Sequence, residues 1–220
     1  MSIKYHPSPT LLMNPTLYYV HDPMCSWCWG FEAARRQLFG GLPQNLYVRR
    51  LLGGLAADTD QPMADEMRAY IQHAWHEIEQ KVAGMHFNFD FWTACQPRRA
   101  TWPACRAVIA ARRQGEEYDE IMTAAIQAAY YTQARNPSDD ATLIELADEL
   151  GLNHTDFTIA LNSDETQWEL LSEMELTTEL AARSFPSLLL KMQNSVRTIP
   201  IDYMQSDKMH QLITRLLGKL

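Results

Sequence analysis

The chain has 220 residues, 46% of them hydrophobic and 21% charged, which is the balance of a folded globular protein and excludes a disordered or fibrous one. Nineteen Lys and Arg against 27 Asp and Glu give a net charge of −8, which argues against a dedicated nucleic-acid or anionic-membrane surface. No stretch approaches the roughly 18 apolar residues of a membrane span, and prolines at 7, 9 and 15 interrupt any signal-like apolar run, so the expected location is cytoplasmic.

Residues 17 to 22, Leu-Tyr-Tyr-Val-His-Asp, read as a short apolar strand that Asp22-Pro23 ends. After Cys25 and Cys28, residues 29 to 40 carry helical spacing through Phe31, Arg35, Leu38 and Phe39, and stop at Gly40-Gly41. Residues 45 to 52 form a second strand, ending at Gly53-Gly54. Two strands around one helix within about 35 residues match a βαβ crossover. From there to about residue 183 the periodicity is helical. Met67, Ile71, Ala74, Trp75, Ile78 and Val82 share one face, as do Tyr118, Ile121, Met122, Ala125 and Ala129. Ser138 and Asp139 are cap candidates for a helix carrying Leu143, Leu146, Ala147 and Leu150, and Ser163 for a longer one through Leu170, Leu171, Met174 and Leu180. About four to six helices are expected in this stretch. Strand character returns at 187–191 and 196–201 across a Gln193-Asn194 turn, and a last amphipathic helix carries Met209, Leu212, Ile213, Leu216 and Leu217. The two ends of the chain are expected to combine into one sheet with helices on its faces.

Cys25 and Cys28, as Met-Cys-Ser-Trp-Cys-Trp, are the chemical feature of the chain. Two cysteines at this spacing at a helix start meet unpaired N–H groups and the positive end of the helix dipole, which favour a thiolate. Half of a zinc site is the alternative, but Cys95 and Cys105 do not form a second Cys-X-X-Cys. Without a signal the pair faces a reducing pool, so it reads as a cycling dithiol and not a permanent disulfide. Cys25 is the expected nucleophile, its pKa drawn below the free value of about 8.5, and Cys28 the resolving thiol. Cys95 and Cys105 read as small buried apolar residues.

Asp22 is a candidate proton acceptor for the resolving thiol, or a cap for the helix start, with capping preferred. His21 is a candidate to stabilise the thiolate, but strand alternation allows at most one of His21 and Asp22 to face the cysteines. Trp27 and Trp29 either form an aromatic wall beside Cys28 or, for Trp29, simply fill core. Arg98, Arg99 and Thr101, just before a helix beginning near Pro103, either bind an anion such as a glutathione carboxylate or form a solvated helix start.

Several stretches together resemble a known group: Asp22-Pro23-Met24-Cys25-Ser26-Trp27-Cys28-Trp29-Gly30, Leu52-Gly53-Gly54-Leu55, Phe87-Asn88-Phe89, Pro97-Arg98-Arg99-Ala100-Thr101 and Ser184-Phe185-Pro186-Ser187. The chain resembles the DsbA-like branch of the thioredoxin superfamily. Within it, the chain is similar to the signal-less cytosolic FrnE-like group and to the 2-hydroxychromene-2-carboxylate isomerases. The resemblance implies an α/β thioredoxin-like fold, βαβ…ββα with a cis-Pro loop at Phe185-Pro186, split over 1–60 and 184–220 by a large all-helical insertion at 61–183. It implies a thiol–disulfide oxidoreductase of reductase or isomerase type with no metal or other cofactor. Protein or small-molecule thiols and disulfides would be its partners, and glutathione a candidate co-substrate. Substrate contact is then expected at Phe185, Pro186, Ser26 and Trp27, with Asp22, His21 and Arg98 as auxiliaries. The alternatives are a glutathione-dependent isomerase or kappa-type transferase, which generally carries Ser where Cys25 stands, and a non-catalytic peptide-binding module. The Ser-Trp dipeptide matches neither the Gly-Pro of thioredoxins nor the Pro-His of the periplasmic oxidant.

Overall fold

The computed structural model describes residues 15–193 and 195–218. The N-terminal segment read above for a signal and Asn194 of the expected turn lie outside the described residues. In chain order the elements are β1 (Thr16–His21), α1 (Ser26–Gly40), β2 (Tyr47–Leu52), α2 (Asp65–Lys81), α3 (Phe91–Ala94), α4 (Trp102–Arg112) and α5 (Tyr118–Thr132). There follow α6 (Asp140–Glu149), α7 (His154–Leu161), α8 (Asp164–Glu179), β3 (Ser187–Met192), β4 (Ser195–Ile199) and α9 (Ser206–Leu217).

The sheet order is β2-β1-β3-β4. β2 runs parallel to β1, β3 is antiparallel to β1, and β4 is antiparallel to β3, so both ends of the chain contribute to one sheet. β1 is buried along nearly its whole length, as a strand covered on both faces must be. Leu17 and Tyr19, with Leu188 and Leu190, pack under Phe31 and Leu38 of α1 and Met209 and Ile213 of α9. On the opposite face Tyr18, Val20, Leu51 and Leu189 meet Leu180, just beyond α8.

A separate apolar cluster gathers the helices around α4, whose residues 103 to 111 are all buried. Met24 and Leu52 belong to that cluster too, so the cysteine loop and the end of β2 are packed on the helical stretch. Seven helices lie between β2 and β3 among the described residues, more than expected. The additions are α3, with four residues, and α7, with eight, both too short for a periodic pattern to stand out. α1 begins at Ser26, so the cysteines sit at its start, and β4 ends at Ile199 because Pro200 has no N–H to donate. Ser163 caps α8 by accepting from Thr166 N. Asp139 does not cap α6; its carboxylate turns to Asn136 and Arg98.

β2 is an edge strand, and its end is covered by side chains from the helices. Glu173 of α8 accepts from Leu52 N at 2.7 Å and pairs with Arg112 at 2.6 Å. Arg112 also reaches Asp119 at 3.0 Å, and Asp119 in turn pairs with Arg50 of β2. Burial pushes the Glu173 carboxyl up, while Arg112 and the Leu52 N–H oppose it. Glu173→Ala leaves both Leu52 N–H and Arg112 without this buried acceptor. The expected loss is about 3 kcal/mol, or roughly 6–12 °C in Tm for a chain of this size. Glu173→Gln keeps an oxygen for Leu52 and is expected to lose less; thermal denaturation followed by circular dichroism compares the two.

Candidate active site

β1 delivers the chain to Asp22 and Pro23, and a tight turn, closed by Cys25 N donating to Asp22 O at 3.0 Å, leads into α1. Cys25 is the N-cap residue, with extended backbone and no side-chain oxygen to satisfy the helix start. Its main-chain carbonyl accepts from Cys28 N at 2.9 Å and Trp29 N at 3.1 Å. Both cysteines are free thiols; Cys25 is 6% exposed and Cys28 0%, so only Cys25 offers any surface to a substrate. The Phe185–Pro186 bond is cis, and Cys25 Sγ donates to Phe185 O at 3.6 Å. Burial pushes the Cys28 thiol well up, and its hydrogen bond and charge coupling with Cys25 push it further.

Asp22 is fully buried and every one of its partners is a donor. Its Oδ1 accepts from Met24 N at 2.8 Å; its Oδ2 accepts from Leu55 N at 2.8 Å, Thr101 Oγ1 at 2.6 Å and Cys105 Sγ at 3.5 Å. The carboxylate therefore joins three segments: the cysteine loop, the loop leaving β2, and the start of α4. It does not cap α1, because Met24 lies ahead of the helix, and the capping expectation is corrected accordingly. Burial raises the Asp22 carboxyl above its ordinary value, with the donors from Thr101, Leu55, Met24 and Cys105 working against it. The Asp22 main chain, by a hydrogen bond, holds the Cys28 thiol down and the Asp22 charge, with a smaller effect, pushes it up, so the carboxylate lies within electrostatic reach of the resolving thiol.

Four other sequence expectations are corrected. His21 is fully buried and stacked on Tyr19 at 4.8 Å, and neither ring nitrogen has a hydrogen-bond partner among the described residues. Burial, and then Arg50, Arg35 and Arg112, hold its pKa well down, so it carries no charge with which to stabilise a thiolate. Arg98 pairs with Asp139 at 2.7 Å, donates to Ser138 O, and lines a cavity of about 290 Å³ that shares no residue with the groove at Phe185. Thr101 is engaged with Asp22 and Ala56, not with an anion. Ser26 also departs from its expected place at the substrate. Its Oγ accepts from Trp75 Nε1 at 2.9 Å, and it does not line the groove.

The groove itself, of about 500 Å³, brings together Trp27, Phe185 and Pro186 with Tyr203, Ile201 and Lys81. Trp27 and Tyr203 lie 5.2 Å apart, while Trp29 stacks on Tyr131 and belongs to the helical core. Cys105 is buried, as expected, but Cys95 is half-exposed and donates to Ala134 O at 3.1 Å. The sequence reading missed Lys81 and Tyr203; no local motif marks them, because the groove is assembled from four distant segments.

A thioredoxin family model matches residues 18–205. The chain is similar to a crystal structure from Nitrosomonas europaea described as a candidate protein disulfide isomerase. Identity is 30%, the match covers 94% of this chain and 98% of that one, and the TM-score is 0.81. It is also similar to the cytosolic disulfide reductase DsbM of Pseudomonas aeruginosa, at 26% identity over 93% of this chain and all of that one with a TM-score of 0.71. DsbM has been solved with GSH as well. Among curated proteins it matches the ClpXP adapter protein SpxH of Bacillus subtilis and of Halalkalibacterium halodurans, at 24% and 22% identity over 78% and 81% of this chain. The match spans only 56% and 59% of those two relatives.

The position of Phe185 depends on the loop leaving β2. A Cβ at Gly53 would overlap the Phe185 ring, and Gly54, at φ 60°, has Trp102 Nε1 donating to its carbonyl at 3.1 Å. Gly53→Ala is therefore expected to swing the Phe185 ring out and slow disulfide exchange at Cys25 about tenfold. The same substitution in a Phe185→Ala background is expected to add less than about twofold; a double-mutant cycle on the exchange rate reads the difference, and full additivity would break the link.

Proposed function

Because the chain belongs to the thioredoxin family and has the architecture of DsbA-like thiol–disulfide oxidoreductases, we propose that it is a disulfide reductase or isomerase working through Cys25 and Cys28. One observation supports this reading: the single accessible sulfur of the pair belongs to the residue at the N-cap position of α1 and donates to the carbonyl of Phe185, a residue of the cis-Pro loop that lines the groove. In the reductase direction, the Cys25 thiolate attacks one sulfur of a substrate disulfide. A mixed disulfide forms and the first substrate thiolate leaves. Cys28 then loses its proton and attacks Cys25 Sγ, releasing the second thiolate and leaving a Cys25–Cys28 disulfide. The two electrons gained by the substrate come from the protein dithiol, which an external thiol must restore.

Asp22 is the base the second step calls for. A buried thiol with a raised pKa needs a proton acceptor, and a carboxyl raised by burial is a better match to it than an ordinary one. As pH falls through the raised Asp22 pKa the carboxylate is lost, so release of the mixed disulfide is expected to slow across that range. Asp22→Asn should remove this acid limb and slow release about 100-fold at neutral pH. Thr101→Val removes a donor that favours the charged form, so the limb should move to higher pH. Quenched-flow alkylation of the mixed disulfide across pH measures all three proteins, and a wild-type profile without the limb overturns the assignment.

Reduction rather than oxidation is the direction we favour, in keeping with the name of the cytosolic reductase DsbM. Insulin reduction with dithiothreitol as donor is expected to be accelerated by the wild type and abolished in Cys25→Ser. A Cys25–Cys28 midpoint of about −220 to −300 mV fits a reductase or isomerase, and one near about −120 mV a dithiol oxidant. The glutathione-dependent isomerase reading is less favoured because both thiols stand here. A partner-binding adapter, suggested by the SpxH match, remains if insulin is untouched and no reversible dithiol titrates.

A further inference from the structure

The groove beside Cys25 is walled by apolar and hydroxyl side chains, and among its lining residues Lys81 alone carries a formal charge. Lys81 ends α2, and its Nζ lies 5.2 Å from the centroid of the Trp27 ring, so the ammonium is held over one wall of the groove by the ring face. The acid nearest in sequence to the opposite wall is Asp202, beside Tyr203. It is turned away, accepting from Met204 N at 3.0 Å and Gln205 N at 2.8 Å and pairing with Lys208 at 3.6 Å. The lining of the groove thus offers one ammonium and no carboxylate, on a chain of net charge −8.

Resting on the oxidoreductase reading above, we propose that Lys81 is the specificity-determining residue of this groove, selecting small disulfides that carry carboxylates. A substrate whose sulfur reaches Cys25 must lay the rest of its body along the groove. An anionic group there loses water against apolar walls, and Lys81 is the group that compensates it. A disulfide bearing only amines meets the same charge as repulsion. Lys81 also pairs with Glu77, one turn earlier in α2, at 2.5 Å. Both groups are solvent-exposed, so an arriving carboxylate competes with Glu77 for the ammonium. The redox step is unchanged: the prereduced dithiol gives two electrons to the substrate disulfide, which leaves as two thiols while Cys25 and Cys28 join.

The test needs no second reductant. Prereduced protein is mixed with oxidised glutathione (anionic), 2-hydroxyethyl disulfide (neutral) or cystamine (cationic), and loss of protein thiols is followed by quenched alkylation and mass spectrometry. The readout is the ratio of second-order rate constants, anionic over neutral and cationic over neutral. Lys81→Glu is expected to lower the first ratio about tenfold and raise the second. Lys81→Arg should stay within about twofold of wild type, and Glu77→Gln should raise the first ratio about threefold. The wild-type preference should also shrink with added salt. Ratios that move less than about twofold in Lys81→Glu overturn this inference and leave the oxidoreductase reading standing; no reaction of the wild type with any of the three overturns both.

Discussion

The geometry of the site depends on one buried carboxylate. Asp22 accepts four hydrogen bonds from three separate segments, and each of those segments carries a part of the site. Met24 N belongs to the cysteine loop, and Leu55 N to the loop whose Gly53 leaves room for Phe185. Thr101 stands at the N-cap, and Cys105 in the first turns, of the helix at the centre of the helical cluster. An acceptor surrounded only by donors is well satisfied as an anion, yet burial acts in the other direction and prevails. Because the folded pKa lies above the unfolded one, the contribution of Asp22 to stability is fullest in acid. It falls as pH rises from the unfolded value toward the folded one. The fold thus favours the neutral form of Asp22 more than water does, which agrees with the proton-transfer role proposed for it.

The helical stretch is bound to the cysteine motif by more than apolar contact. Trp75 sits at the centre of an aromatic cluster with Phe87, Phe91, Trp92, Tyr130 and Tyr131, and sends its N–H to Ser26, between the two cysteines. Glu173 does the equivalent at the far end of β2, closing an edge N–H that would otherwise face the helices unpaired. The Arg112, Asp119 and Arg50 chain extends that closure down the strand. Displacing the helices would therefore alter the dipeptide between the thiols and the loop under Phe185 together.

Much of this architecture is legible in the sequence. β1, β2, β3 and α9 follow from local hydrophobic pattern and from Pro and Gly breakers, and the Ser163 cap follows from the chemistry of one side chain. What is illegible depends on long-range assembly. α3 and α7 are too short to show a period. His21 and Arg98 look reactive by residue type, but one is neutralised by burial beside three arginines and the other is occupied by Asp139 and Ser138. Lys81 carries no motif; it acquires meaning only because α2 ends beside Trp27, which lies 54 positions earlier in the chain.

The two thiols are treated unequally by the same short helix start. Cys25 stands at its N-cap position and keeps a small exposed face, whereas Cys28, one turn in, is sealed and raised by burial. An incoming disulfide can therefore meet only Cys25, and Cys28 can act only on a bond already formed within the protein. In the proposed mechanism that order makes the two chemical steps separable, the groove with Lys81 acting on the first and Asp22 on the second. Ser26 stands between them. Its hydroxyl is committed to Trp75 as an acceptor, which leaves its own proton free for a neighbouring group. A helix from the intervening stretch thereby reaches the one dipeptide that distinguishes this pair of cysteines from those of thioredoxins and of the periplasmic oxidant.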